Sequence, residues 1–158
     1  MTERDERHLV VLLEGEQAGT LTEDSSGRLS FDYDVAWQGD PDAVPLSLSM
    51  PLAQRSHGDE VIRPFLWGLL PDNERVLERW GRDYQVSPRN PFALLQHVGE
   101  DCAGAVQLVA HDRVDDVTAG EGVVHWLDES EVAMLLRALH ADPTSWHAQS
   151  TTGQFSLA

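Results

Sequence analysis

The chain has 158 residues, of which 41% are hydrophobic, enough for one domain whose buried core needs no metal or disulfide. Its 27 acidic and 11 basic side chains give a net charge of −16, which repels phosphate backbones and excludes direct, non-specific nucleic-acid binding. All 11 basic side chains are arginine, so no lysine is present for a phosphate loop, a Schiff base or a kinase active site, and the single cysteine excludes an internal disulfide.

The N-terminal residues predict neither export nor membrane insertion. Residues 1–7 carry charges of both signs, and the apolar segment 8–13 is too short for the core of a signal peptide. No stretch approaches the 18 consecutive apolar residues of a membrane span. Together with the single cysteine, which suits a reducing compartment, these features predict a cytoplasmic protein.

The first third of the chain predicts an antiparallel sheet of hairpins. Glycine-containing turns at 14–17 and 24–27 separate apolar segments, as in hairpins. Residues 28–35 alternate strictly between apolar and polar, which is typical of a half-buried strand. Its apolar face carries Leu29, Phe31, Tyr33 and Val35. The predicted strands are 8–13, 18–21, 28–35, 46–50, 104–110 and 123–127.

Helical periodicity begins after residue 63. The predicted helices are 64–70, a second from a cap at Asp72 or Asn73 to about Tyr84, a third from a cap at Asn90 to residue 98 before Gly99, and one that begins at Asp128. Asp128 and Glu131 form an acidic variant of the capping box. The stripe Val132, Leu135, Leu136 and Leu139 predicts that this last helix packs on the core. Residues 112–122 are acidic and polar and predict a surface loop.

Several segments invite a chemical function but favour a structural one. The loop 99–104 contains two glycines, yet Glu100 and Asp101 stand where a bound phosphate would sit, so we interpret it as a helix end and a tight turn. Cys102 is interpreted as a half-buried structural residue rather than a nucleophile. The seven histidines lack metal-ligand spacing, and neighbouring carboxylates are expected by chance among 27 acids, so we predict no metal site and no catalytic residue in this chain.

Five tryptophans are a high number for a chain of this length. Trp67 and Trp80 lie on apolar helical stripes and predict core positions, whereas Trp37 and Trp146 lie in loop-like sequence. Exposed aromatic residues are enriched at protein interfaces, and Trp146 is therefore a candidate interface residue. The last segment, 154–158, alternates like a strand that stops short, as expected of a sequence cut at a boundary.

Several blocks of this sequence resemble the N-terminal domain of HipA-type serine/threonine kinases. They follow one another in the family's order and spacing across roughly residues 9–108, so that the combination is specific although each block alone is weak. The blocks are 19–21, 28–33, 45–52, 65–73 with Arg75, 86–87 leading into 92–95, and 99–107. The segment 154–158 is similar to the strand that leads into the glycine-rich loop of the kinase.

The resemblance implies an α+β fold with an antiparallel sheet of hairpins, three to four packed helices, a single core, and a C-terminal strand that leads into a kinase domain absent from this chain. It implies a HipA N-terminal domain over 1–110 that contacts the antitoxin, followed by an acidic loop at 111–122. A strand and helix packing on the same core are expected over 123–150, and the start of the kinase domain over 151–158.

The resemblance also implies the N-terminal regulatory domain of a type II toxin–antitoxin kinase. The parent enzyme would use ATP and Mg²⁺ to phosphorylate a serine of a cytosolic protein, an aminoacyl-tRNA synthetase in the best-known members, and a HipB-like antitoxin would neutralise it. Ser156 matches the autophosphorylated serine of the family, and Ala158 matches the first residue of the nucleotide-binding loop. The catalytic aspartates, metal ligands and nucleotide-binding lysine would lie beyond residue 158, so we expect this chain alone to be inactive and to need no cofactor.

Two alternatives stay open. The chain could be a standalone module of the same fold that serves as antitoxin or partner of a shorter kinase, although such a module would not need the segment 155–158. The net charge of −16 could serve solubility alone, or it could complement a basic, DNA-binding antitoxin. Apart from the antitoxin and the kinase domain of the same parent chain, the sequence predicts no direct nucleic-acid or membrane partner.

Overall fold

The computed structural model describes residues 6–102, 104–119 and 126–141. A five-stranded antiparallel sheet forms their centre, in the order β4-β3-β2-β1-β5. The strands are β1 Arg7–Leu13, β2 Glu16–Glu23, β3 Leu29–Tyr33, β4 Ser56–Gly58 and β5 Val106–Val109. The helices are α1 Val35–Gly39, α2 Asp59–Gly68, α3 Glu74–Asp83, α4 Pro91–Val98, α5 Val114–Ala119 and α6 Glu129–Ala141. The prediction of an α+β fold with an antiparallel sheet is confirmed.

Two turns set the register of the first three strands. At the β1–β2 turn, Glu14 and Gly15 both have positive φ, 53° and 83°, the backbone that a two-residue hairpin requires. At the β2–β3 turn, the Asp24 carboxylate accepts hydrogen bonds from the backbone N–H groups of Ser26 and Arg28. The turns therefore place β1, β2 and β3 side by side in chain order, as the sequence predicted.

β1 is buried on both faces. Leu9, Val11 and Leu13 join the main core, which α2, α3 and α4 cover. Val10 and Leu12 point to the other face, where they form a small second cluster with Val109 that α5 covers. A central strand covered on both faces has a continuous apolar run rather than an alternating one, which accounts for the sequence of residues 9–13.

The helices begin where the sequence supplies caps. The side chains of Asn73 and Asn90 accept hydrogen bonds from the backbone at the starts of α3 and α4, and Pro91 occupies the first turn of α4. α2 begins at Asp59, five residues before the predicted start at Pro64, and contains that proline. Two acidic residues, Asp59 and Glu60, form its first turn and stabilise the helix N-terminus electrostatically.

Four predicted segments differ from the structure, the last of them in the two residues that are described. Residues 46–50 form turns and not a strand, because a tyrosine from β3 holds this loop in place, as described below. Val35 is exposed because Asp34 caps α1 and ends β3 before it. Residues 112–119 form helical turns and α5 rather than a loop, since Val114 and Val117 pack on the second cluster. Of the predicted strand 123–127, residues 126 and 127 lie outside any strand, and 123–125 lie outside the described residues.

Asp59 connects α2 to the sheet. Its carboxylate accepts a hydrogen bond from the Leu29 N–H at 2.9 Å and two from the Arg63 guanidinium at 2.6 and 3.1 Å. The hydrogen bonds from Arg63, followed by that from Leu29, hold the pKa of Asp59 below its ordinary value of 3.8, although burial opposes this shift.

A carboxyl group with a lowered pKa in the folded state stabilises the fold above its unfolded pKa, and this stabilisation is lost as the pH falls through the folded value. We therefore expect Asp59→Asn to reduce the part of the free energy of unfolding that disappears below about pH 4. Urea denaturation between pH 2.5 and 6 measures the effect. Asp72→Asn, at an exposed carboxyl, is the control; a slope that responds equally to both substitutions would contradict the assignment.

Candidate functional site

The loop 99–104 is built as a structural turn. A short 3-10 helix, Gly99–Asp101, follows α4, and Gly104 has a positive φ of 90° before β5. The Glu100 carboxylate accepts two hydrogen bonds from Arg113, at 3.0 and 2.9 Å, which joins the loop to the segment before α5. A carboxylate held there disfavours a bound phosphate, and the predicted helix end at Gly99 is confirmed, whereas residue 103 lies outside the described residues.

Cys102 is structural, as predicted. Its thiol donates to the carbonyl of Gly99 at 3.3 Å, and burial, assisted by the charge of Asp101, raises the pKa of Cys102 to about 12. A thiol with so high a pKa holds almost no thiolate at neutral pH and is a poor nucleophile. Within the described ranges, no group of three or more His, Cys, Asp or Glu side chains could hold a metal ion.

A buried carboxylate joins the sheet to α4. Glu23, at the end of β2, is only 3% exposed. It accepts hydrogen bonds from the Arg7 guanidinium and, at 2.7 Å, from the Asn90 side-chain amide. Arg7 lies over the Phe92 ring with its guanidinium carbon 5.2 Å from the ring centre, and Asn90 also caps α4. This network fixes the orientation of α4 on the sheet, and nothing in the local sequence around Glu23 indicates it.

The long loop between α1 and β4 is held at its base. The Tyr33 hydroxyl accepts a hydrogen bond from the Leu46 N–H at 2.9 Å and donates one to the Met50 carbonyl at 2.7 Å. Met50 is fully buried, whereas Leu48 at the tip of the loop is 97% exposed. The apolar alternation of residues 46–50 therefore does not come from a strand: Met50 is buried in the core, Leu46 packs partly against it, and Leu48 is exposed.

The tryptophans divide between the core and the surface. Trp80 is buried, and Trp67 packs partly on the core, as predicted. Trp37, predicted in a loop, is half-buried in α1, where its indole N–H donates to the Val44 carbonyl. Trp126 is 92% exposed just before α6 and was not singled out from the sequence. The predicted interface residue Trp146 lies outside the described residues, as do Ser156 and Ala158.

α6 is capped as predicted but its apolar stripe is not buried. The Asp128 carboxylate accepts hydrogen bonds from the N–H groups of Ser130 and Glu131, and Glu131 accepts the Asp128 N–H at 2.8 Å, which completes the capping box. The prediction that the stripe packs on the core is wrong, because α6 contains no buried residue and its side chains do not join the core. The described helices include none that is long and apolar enough to cross a bilayer.

Comparisons with known proteins identify the family of this chain and two of its relatives. The HipA N-terminal domain family matches residues 9–109. A protein of Sinorhizobium fredii named "Putative kinase Y4mE" is 36% identical over 140 residues, which cover 87% of this chain and 33% of that relative.

A second relative, from Haemophilus influenzae, is named "Uncharacterized protein". It is 32% identical over 98 residues, which cover 62% of this chain and 87% of that relative. The chain thus spans about a third of the longer relative and aligns with nearly all of the shorter one. The family match covers well over half of the chain, and the chain belongs to the HipA N-terminal domain family.

Proposed function

We propose that this chain is the N-terminal regulatory and binding domain of a HipA-like serine/threonine-protein kinase toxin. The observation that carries the proposal is the match to the kinase-named relative, which covers 87% of this chain but only 33% of that protein. Two thirds of such a protein is then left for a catalytic part. The absence of lysine from this chain supports the same division, since the nucleotide phosphates would be bound elsewhere.

In this proposal the complete protein transfers the γ-phosphoryl group of ATP to a serine hydroxyl of a cytoplasmic protein, such as an aminoacyl-tRNA synthetase. The described residues of this chain do not fit Mg²⁺-ATP, because they contain neither a cluster of metal ligands nor a lysine. ATP and Mg²⁺ therefore belong to the catalytic part, and we assign no catalytic residue to this chain.

Two residues of the C-terminal segment keep proposed roles from the family resemblance. Ser156 is the proposed acceptor in autophosphorylation, and Ala158 is the proposed first residue of the nucleotide-binding loop. A phosphorylated serine adds nearly two negative charges at neutral pH, enough to displace a neighbouring loop that binds nucleotide phosphates.

The proposed partner is a HipB-like, DNA-binding antitoxin. The charge of −16 supports this assignment, because an acidic domain attracts a basic protein and speeds their encounter. Such electrostatic attraction is screened by salt, so the association rate of the complete protein with the antitoxin should fall as the salt concentration rises. An association rate that does not depend on salt would remove the charge argument.

The proposal is tested on the complete gene product and on the 158-residue chain in parallel. With Mg²⁺ and γ-labelled ATP, we expect the complete protein to phosphorylate itself and the 158-residue chain to show no phosphate transfer or ATP hydrolysis. Ser156→Ala in the complete protein should abolish self-phosphorylation while phosphorylation of the target continues. Phosphopeptide mapping that places the label elsewhere would reject Ser156. A gene that ends at codon 158, or ATP hydrolysis by this chain alone, would overturn the proposal.

A second candidate function is a free-standing module that binds a shorter kinase encoded separately. The Haemophilus influenzae relative favours it, because the 98 matched residues make up 87% of that protein and leave no room for a kinase domain. The domain family therefore includes chains that consist of little else. Co-purification of this chain with a separately encoded kinase, combined with a gene that ends here, would select this second candidate.

A further inference from the structure

The helix α6 has one apolar side, and a capping box stabilises its N-terminal end. Its 13 residues begin after the capping box of Asp128 and Glu131. Val132, Leu135, Leu136 and Leu139 follow at the i, i+3, i+4, i+7 spacing and lie along one side; we call these four residues the α6 stripe. Arg137, His140 and the 64% exposed Met134 lie outside this arc of the helix. The arc therefore gathers the branched aliphatic side chains of α6 on one side.

The described part of the chain leaves the α6 stripe only partly covered. Leu136 is 61% exposed and Val132 is 42% exposed, Leu135 and Leu139 are half-buried, and none of the four packs on either hydrophobic cluster. Trp126, just before the helix, is 92% exposed. In α2 and α4, by contrast, the apolar stripes are buried in the core. Contiguous exposed apolar surface of this kind marks an interaction site.

The comparisons show that α6 lies beyond the residues matched by the N-terminal domain family and within those matched by the longer relative. The N-terminal domain family ends its match at residue 109, twenty residues before α6 begins at Glu129. The match to the longer relative covers 87% of the chain, and any stretch of that length must include most of α6. α6 is therefore shared with a protein about three times as long, but lies outside the N-terminal domain itself.

We propose that the α6 stripe is the docking surface for the kinase part of the complete protein. The inference rests on the proposed function and specifies the surface through which the two parts meet. The side chains at the start of the helix, Asp128, Glu129 and Glu131, are acidic. The complementary surface is accordingly an apolar groove with basic side chains near the helix N-terminus.

Thiol labelling tests the inference without disturbing the fold. Leu136→Cys places a thiol on the stripe, and Arg137→Cys places the matched control on the neighbouring side of the same helix, outside the stripe; both positions are exposed. Cys102 contributes little background, because burial raises its pKa to about 12. A maleimide dye reports the labelling rate in the 158-residue chain and in the complete gene product.

We expect the thiol at position 136 to react at least tenfold more slowly in the complete protein than in the 158-residue chain, while the thiol at position 137 reacts equally in both. Equal rates at position 136 would overturn the inference. Slow labelling of position 136 already in the 158-residue chain would also overturn the inference. If this protection is independent of protein concentration, residues of this chain cover the stripe. If it rises with concentration, a second copy of the chain covers it.

The two failures are distinguishable. The proposed function is decided by the gene sequence beyond codon 158 and by phosphate transfer, both measured on the unsubstituted protein. A kinase that is active while position 136 labels equally in both forms contradicts only the docking surface. A gene without a kinase part contradicts the proposed function and the inference together.

Discussion

Arg7→Ala is expected to lower the free energy of unfolding by about 3 kcal/mol, because it removes the hydrogen-bonded ion-pair partner of the buried Glu23 carboxylate. Asn90 still donates one hydrogen bond to Glu23, but an amide does not neutralise the charge. The substitution also removes the guanidinium from the Phe92 ring, a contact worth about 0.5–1 kcal/mol. Urea denaturation followed by circular dichroism measures the loss.

A double-mutant cycle separates the buried charge from lost packing. Glu23→Gln removes the charge, so the double variant Arg7→Ala/Glu23→Gln should be more stable than Arg7→Ala alone. Arg75→Ala, at an exposed arginine of α3, should change the free energy of unfolding by less than about 0.5 kcal/mol. If the loss of unfolding free energy in the double variant equals the sum of the losses in Arg7→Ala and Glu23→Gln, the two side chains do not interact. The network described for α4 would then be wrong.

Tyr33→Phe should lower the free energy of unfolding by about 2 kcal/mol although it removes a single oxygen atom. The hydroxyl bridges the Leu46 N–H and the Met50 carbonyl at a fully buried position, so its loss leaves two backbone groups without a partner. The cost should be localised: hydrogen exchange should accelerate in the loop 40–55 and remain unchanged in β1 and β2. Tyr84→Phe is the matched control, because its half-buried ring stacks on His97 and its hydroxyl makes no hydrogen bond to another described residue.

The same residue predicts a loss of stability in alkali. Burial raises the pKa of Tyr33 above its ordinary value of 10, against a smaller opposing effect of the hydrogen bond from Leu46. A group whose pKa is raised on folding stabilises the protein below its unfolded pKa and ceases to do so as the pH rises through the folded value. Stability should therefore fall above about pH 10, and less so in Tyr33→Phe. If the free energy of unfolding of Tyr33→Phe falls above pH 10 as steeply as that of the unsubstituted protein, other groups cause the loss of stability in alkali.

The predictions that the structure confirmed depend on interactions between residues close in the sequence. A turn with glycine at positive φ, a capping side chain that accepts a hydrogen bond from a backbone N–H two or three residues later, and the apolar periodicity of a strand all act over a few residues. This is why the β1–β2 turn, the Asn90 cap and the Asp128 capping box were all predicted correctly. The order and spacing of the blocks shared with the family are likewise properties of the sequence, and they were sufficient to identify the family.

The predictions that failed depend on contacts between distant residues. The segment 46–50 has the alternation of a strand, but the Tyr33 hydroxyl binds its backbone from 13 and 17 residues away. In the sequence Glu23 has no feature that distinguishes it from a surface carboxylate. One of its hydrogen bonds comes from Asn90, which lies 67 residues further along the chain. For α6, periodicity predicted a helix with one apolar face, yet could not say against which surface that face would pack.

By itself the sequence determined the class of the fold, the family, and the absence of a lysine with which to bind nucleotide phosphates, because local backbone preferences and composition are properties of the chain. Only the tertiary structure decided which polar side chains are buried together and which apolar side chains are left outside. Periodicity states that a side of a helix is apolar, whereas burial depends on whether the rest of the fold comes within contact distance of it. That difference turns the α6 stripe from a predicted part of the core into the proposed docking surface.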